Sequence, residues 1–291
     1  MNSLSIAQLA QFSGIKAHTI RIWEQRYDAL KPERTEGNTR FYSGMDLKRL
    51  LNIVSLLDQY KVSELCRMSD KNLNTLVEKV SVEDKNSSQE LFISQLIAAG
   101  IEFNEPSFQK ILSHCFLRYG IEDTYKKIIH PALIRIGLLW RTDQLPTAQE
   151  HFISNMIRQK LLTVTDSLPL SKENAKKWIL FLPEDEYHEI GLLMAQYILR
   201  LRGEKVYYLG ANVPLTTLFL ACKIIKPDAL LLFFVHNDFK EDVDVYLSDL
   251  SKNCKRTTIY VSGNENLINK INLKRQVTWL KTMEDLENAE M

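Results

Sequence analysis

From Lys176 onward the chain changes texture, and that change constrains the fold more than any other feature. Five short apolar runs, WILFLP, KVYYLG, ALLLFFV, TTIYVSG and QVTWL, alternate with helical patterns. The runs are rich in β-branched and aromatic residues and apolar on both faces. Strands of a parallel sheet covered by helices read this way. Ligands on such sheets bind beyond the carboxyl ends of the strands. The first such corner, FLPEDEYHEIGLL at residues 181–193, places four acids and His188 within seven residues, just before a helical pattern containing Gly191. The turn at Gly210 and the run ending in Ser262-Gly263 are expected at the same edge.

The chemistry of the corner is readable. A neutral imidazole is a good transition-metal ligand, and a carboxylate two residues earlier, Glu186, can hold its other ring nitrogen and raise its basicity. Gly191 permits a close approach by a large planar ligand or by another backbone. One histidine cannot hold a bare metal ion, so a metal here would arrive inside a cofactor. Read as a lone motif, E-x-H-x-x-G is equally an ordinary loop.

Two further segments precede the sheet. Residues 1–72 read as short helices around a ribbon. Ser5 is a candidate N-cap and Gly14 a stop; Gly37-Asn38 marks a hairpin tip; Ser43 and Asp46 stand in capping-box positions. Residues 73–89 are polar and read as the end of a frayed helix and a linker. Residues 90–170 hold four helical stretches with no strand pattern, which predicts a four-helix bundle. The sheet occupies 175–291. The fold class is therefore multidomain, α followed by α/β.

Composition limits the partners. With 291 residues, 45% of them apolar, the chain can bury several cores, and its net charge of +1 means that any nucleic-acid surface is local. Residues 16–49 carry eight bases against five acids, on a helix and a ribbon suited to a groove and its flanking phosphates. A solvated helix pair would show the same charges. The four cysteines show no CxxC spacing, so neither a zinc site nor a disulfide framework is expected. There is no signal-peptide pattern and no apolar stretch long enough for a bilayer, which makes a cytoplasmic setting without membrane contact the expectation. No P-loop, Ser-His-Asp array or metal-cluster spacing points to an enzyme.

The bundle contains a second motif, Trp140 followed ten residues later by Glu150-His151. Trp140 also reads as a core anchor, and Thr147 with Glu150 spells a capping box that alone would justify the glutamate.

The order of these motifs carries a resemblance. SIAQLAQFSGIKAHTIRIWEQRY…LKPERTEGNTRFYSGMDLKRL resembles the winged helix-turn-helix of the MerR family of transcription regulators. The resemblance implies that Lys16, His18, Thr19 and Arg21 face DNA, that Trp23 locks the helix to its core, and that Arg34, Arg40 and Tyr42 of the wing contact phosphate. Asp28 stands where relatives often have glycine, and aspartate tolerates a left-handed turn. The W-x9-E-H bundle followed by E-x-H-x-x-G resembles the cobalamin-binding module of methionine synthase and other corrinoid proteins, a helical cap on a Rossmann-like (flavodoxin-like) domain. Together the halves resemble the cobalamin-dependent MerR regulators of the CarH/LitR type. That implies a duplex DNA operator, a homodimer or tetramer, and a cobalamin, adenosylcobalamin in the light-responsive members. His188 would ligate cobalt from below, oriented by Glu186. Trp140, Glu150 and His151 would line the upper side, with Gly191, Gly210, Ser262 and Gly263 near the cofactor. Three positions depart from the pattern: Phe233 stands where a small hydroxyl residue lines the slot for the nucleotide tail, Ser262 replaces a glycine, and Arg141 replaces a histidine after the tryptophan. The alternative reading is a MerR-type regulator whose module takes no cobalamin and senses a protein or another small molecule.

Overall fold

The computed structural model describes residues 4–34, 38–57, 59–83, 89–141, 146–235, 242–268 and 276–289. They fall into two compact units, residues 1–156 and 157–291.

In the first unit, α1 (Ile6–Ser13) begins at Ser5 with a reciprocal capping box to Gln8 and stops at Gly14 in the left-handed region, φ 71°. Helix α2 (Ala17–Tyr27) ends at Asp28, φ 52°, so the aspartate takes the left-handed turn that glycine often fills. Strands β1 (Glu33–Arg34) and β2 (Arg40–Phe41) pair antiparallel with Arg34 opposite Arg40. The expected tip residue Gly37 lies outside the described residues. Helix α3 (Gly44–Ser55) opens on the Ser43–Asp46 capping box, followed by α4 (Val62–Leu65) and α5 (Asp70–Glu83). Helix α5 extends the expected frayed helix to Glu83, into the segment read as linker. Leu73, Val77 and Val80 are all buried, and their i, i+4, i+7 spacing gives a mostly polar segment one apolar edge.

The bundle follows as α6 (Gln89–Ile101), α7 (Glu105–Thr124), a π-helical turn (Tyr125–Ile129), α8 (His130–Arg141) and α9 (Thr147–Asp166). The division between the two units falls inside α9. Within the first unit, α3 packs along α6 and α1 against α8. Arg135 of α8 grips Glu90 of α6 through two hydrogen bonds of 2.6 and 2.7 Å. Its guanidinium comes within 3.4 Å of where a Cβ on Gly14 would lie. Lys48 of α3 reaches Glu102 at 2.8 Å. The amino-terminal head and the bundle thus share an interface.

The second unit contains β3 (Lys177–Pro183), α10 (Ile190–Leu201), β4 (Lys205–Val213), α11 (Leu215–Ile225), β5 (Ala229–Phe234), α12 (Val243–Asn253), β6 (Thr258–Gly263), α13 (Glu265–Ile268), β7 (Val277–Trp279) and α14 (Met283–Glu287). All five expected strands form, in the parallel order β4-β3-β5-β6-β7. Residues of the inner strands alternate between two buried faces. Ile179, Phe181, Leu230, Leu232 and Ile259 join a core with Leu218 of α11 and Leu247 and Leu250 of α12. On the other face Trp178 stacks on Tyr260, ring centroids 5.1 Å apart, and α10 packs against β3, β4 and β5. In this order the connections diverge from β3 and β5, and their carboxyl ends open a crevice.

Candidate functional site

The loop from Glu184 to Glu189 lies at that crevice. Glu186 is only 3% exposed. Its Oε1 accepts from the Tyr187 and His188 amides at 3.0 and 3.1 Å and meets His188 Nδ1 at 2.6 Å. Its Oε2 accepts from the Val235 amide, just beyond β5, at 2.9 Å. One buried carboxylate therefore bridges the ends of β3 and β5 and fixes the imidazole. The amides satisfy the carboxylate as an acceptor, which a buried charge requires. With the Nδ1 proton given to Glu186, the ring lone pair lies on Nε2, and the side chain remains half exposed.

The loop is also tied to β4. That strand carries two irregularities against β3, where Gly210 (φ 80°) and Asn212 (φ 57°) adopt positive φ. The bulges bend the strand end toward the loop. The Asn212 amide then donates to the Glu186 carbonyl at 3.1 Å, and its side-chain oxygen accepts from the Asp185 amide at 3.0 Å. Gly210 is thus a buried bulge residue inside β4, not part of a turn beyond it. Next to His188, Glu189 accepts from Tyr208 at 2.8 Å and pairs with Arg158 of α9 at 2.6 Å. Burial first, and then this carboxylate acceptor, hold the Tyr208 hydroxyl far above its ordinary pKa. Sequence reading missed Asn212, Tyr208 and Arg158, because their roles depend on strand ends meeting in space.

The remaining expected residues have individual settings. Gly191 sits in the first turn of α10. Phe233 is half-buried on the α10 face of β5, opposite Ser262. Ser262 donates to the Leu280 carbonyl at 2.8 Å. A Cβ on Gly263 would lie 2.1 Å from the Phe234 carbonyl oxygen, so that glycine is required by the close approach of β5 and β6 themselves. In the first unit, Trp140 is 37% exposed on α8 rather than a buried anchor. The capping-box explanation for Glu150 is also overturned. Thr147 already lies within α9, and the Glu150 carboxylate instead meets His151 Nδ1 at 2.7 Å and accepts from Ser154 at 2.5 Å.

The head carries the residues expected to face DNA. On α2, Lys16, His18 and Arg21 are exposed and Thr19 is half-buried, while Ile20 faces the core. Arg34 donates to Asn38 across the base of the wing at 2.5 Å. Tyr42 corrects the phosphate expectation: it is 1% exposed, and its hydroxyl donates to Glu24 at 2.5 Å. Arg40 approaches the other Glu24 oxygen at 3.3 Å. Glu24, unassigned in the sequence reading, therefore locks the wing to α2. Arg49, counted among the surface bases, donates to the carbonyls of Ala29, Cys66 and Met68 and to Asp70. It is a structural clamp.

Residues 4–63 match the MerR HTH family regulatory proteins, and residues 92–164 match the B12 binding domain. The chain thus carries a segment similar to the MerR HTH, followed by one similar to the B12 binding domain. It is homologous to the HTH-type transcriptional repressors CarH and CarA of Myxococcus xanthus. It is 28% identical to CarH over 260 residues, 87% of this chain and 86% of CarH. It is 28% identical to CarA over 262 residues, 90% of this chain and 86% of CarA. The monomethylamine corrinoid protein of Methanosarcina barkeri shares the fold, with a TM-score of 0.56, over 69% of this chain and 98% of its own at 15% identity. Among the described residues, no helix is long and apolar enough to cross a membrane.

Proposed function

We propose that this protein is a DNA-binding transcription regulator whose carboxyl-terminal module senses a cobalamin, with His188 as the cobalt ligand. The observation that carries the reading is the His188–Glu186 pair at the crevice between β3 and β5. A carboxylate fixes Nδ1, so Nε2 is the ligating atom, and the ring is held before any ligand arrives. Asn212 and the Val235 amide fix the loop from two strands, which lowers the ordering cost of binding. When bound, a cobalamin would supply cobalt chemistry at this crevice, and His188 would hold it. Within the bundle, Trp140 offers an exposed aromatic surface and Glu150 meets His151 Nδ1, and the resemblance gives these residues a cofactor-binding role. On the head, Arg21 reads base edges, with Lys16, His18 and Thr19 beside it, while Arg34 and Arg40 neutralise phosphate. A dimer would place two such helices on a pseudo-palindromic duplex.

A second reading rests on Phe233. Its ring narrows the α10 side of the sheet at the carboxyl end of β5, where a small residue would leave a slot. In this reading the module takes no cobalamin and senses another molecule. Spectroscopic titration of the purified protein with adenosyl-, methyl- and hydroxocobalamin separates the two. Uptake with a histidine-ligated spectrum, lost in His188→Ala and tightened in Phe233→Ser, supports the cobalamin reading. Absence of uptake by both wild type and Phe233→Ser at near-millimolar cobalamin removes it.

A further inference from the structure

If His188 holds cobalt through Nε2, the imidazole occupies the lower axial position of the metal. In a cobalamin that position is filled by a base at the end of a nucleotide tail, so base and imidazole compete for one place. A base that gives way leaves its tail, with a ribose and a phosphate, to be housed below the crevice. The sheet beneath decides whether it can be.

Among the described residues, the chain's own side chains fill both faces of the sheet there. On the α11–α12 face, Phe181, Leu232, Phe234 and Val261 are buried in one core. Alternation along β3, β5 and β6 puts Leu182, Leu231, Phe233 and Tyr260 on the α10 face. Leu182, Leu231 and Tyr260 are buried. Deeper on this face Trp178 of β3 reaches across β5 to stack on Tyr260 of β6, ring centroids 5.1 Å apart. The β5 residue in register with Trp178 is the small Ala229, which leaves room for the two rings to meet. Phe233 closes the top. It is half-buried and stands opposite Ser262, whose hydroxyl is already given to the Leu280 carbonyl at 2.8 Å. The strand ends are drawn together as well, since the Asn264 amide donates to the Phe234 carbonyl at 2.7 Å. Packed interiors make room only at a cost. A ribose and a phosphate laid against these apolar walls would also lose water without gaining donors.

We propose that the crevice takes a corrinoid without the nucleotide base, of the cobinamide class, and that Phe233 is the specificity residue that rejects the tail. This assignment rests on His188 being the cobalt ligand and narrows the ligand from cobalamin to a tail-less relative. Such a corrinoid presents an open lower face to the Nε2 lone pair and leaves nothing to be housed below. Phe233 discriminates by exclusion, not by a contact with the preferred ligand.

The test is a spectroscopic titration of the full-length protein with diaquocobinamide and with hydroxocobalamin, in wild type, His188→Ala and Phe233→Ser. Part of any preference for cobinamide reflects the base's own hold on cobalt, so the decisive quantity is how Phe233→Ser changes the ratio of the two affinities. Wild type is expected to take up cobinamide with a histidine-ligated spectrum that His188→Ala loses. Phe233→Ser is expected to tighten hydroxocobalamin roughly tenfold or more and to leave cobinamide within about twofold of wild type, which also shows that the variant is folded. Phe233→Val repeats the comparison if the serine variant does not fold. An unchanged ratio, or wild type binding hydroxocobalamin as tightly as cobinamide, overturns the tail-less assignment and leaves His188 as the ligand. Cobinamide uptake with the same spectrum in His188→Ala, or no uptake of either corrinoid, overturns the role of His188 and the assignment with it.

Discussion

At the residue scale, Glu186 carries the most concentrated demand. Its two oxygens satisfy three backbone donors and a ring nitrogen in a buried place. Glu186→Ala should cost about 1–3 kcal/mol for each buried donor that water does not reach. Cobalamin affinity should fall roughly 10–100-fold as His188 loses its orienting partner. Glu186→Gln should lose less stability, because its amide oxygen can still accept from Tyr187 and His188, although its NH₂ then opposes the Val235 amide. Urea denaturation of the two variants checks the order; equal stability of both with wild type would contradict the geometry. Gly263→Ala provides a control with a different cause. With φ at 122° and a Cβ 2.1 Å from a carbonyl oxygen, it should destabilise by about 1–3 kcal/mol or more, even without ligand. Much of this scale was legible, since E-x-H names both partners in three positions. The reason for Gly263 was not, because a β5–β6 backbone contact leaves no mark in local spacing.

At the scale of elements, the sheet was legible throughout. Each of its five strands is an apolar run bounded by polar turns, and the inner strands β3, β5 and β6 are buried on both faces, which leaves little alternative. The extent of helix α5 was less so, because Leu73, Val77 and Val80, buried among its described residues, give a weak pattern amid polar neighbours. The wing shows a similar limit. Its basic residues suggested phosphate contacts throughout, yet Tyr42 and Glu24 turn one edge inward to lock the ribbon onto α2. This distinction predicts two kinds of variant. Arg21→Ala should weaken binding to the specific operator by about 1–3 kcal/mol, with little effect on unrelated duplex, if it reads a base edge. Arg34→Ala should weaken all duplexes alike and reduce the salt slope by about one. Tyr42→Phe removes one hydrogen bond to Glu24 and should lower head stability by roughly 0.5–1.5 kcal/mol, while leaving the salt slope at its wild-type value. A reduced slope in Tyr42→Phe would return that hydroxyl to the phosphate-contacting surface.

At the scale of the whole molecule, the question is how a ligand on one module alters DNA affinity in another. The head is packed onto the bundle: α3 runs along α6, α1 lies on α8, and the Arg135–Glu90 pair sits beneath the helix-turn-helix glycine, Gly14. A displacement of α8, which also carries Trp140, would therefore reach the turn between α1 and α2 through packed side chains. Coupling of this kind is reciprocal. If cobalamin changes DNA affinity by some factor, DNA must change cobalamin affinity by the same factor. Arg135→Ala should reduce that factor toward one in both directions, leaving each intrinsic affinity near its wild-type value. Its cost in stability should be modest, about 1 kcal/mol, because the pair is partly open to solvent. The measurement is a four-corner cycle, in which operator affinity is determined with and without cobalamin and cobalamin affinity with and without operator. If the factor in Arg135→Ala equals that of wild type, the coupling does not run through the α8–α1 contact. If wild type itself shows a factor of one, the head and the module bind their ligands independently.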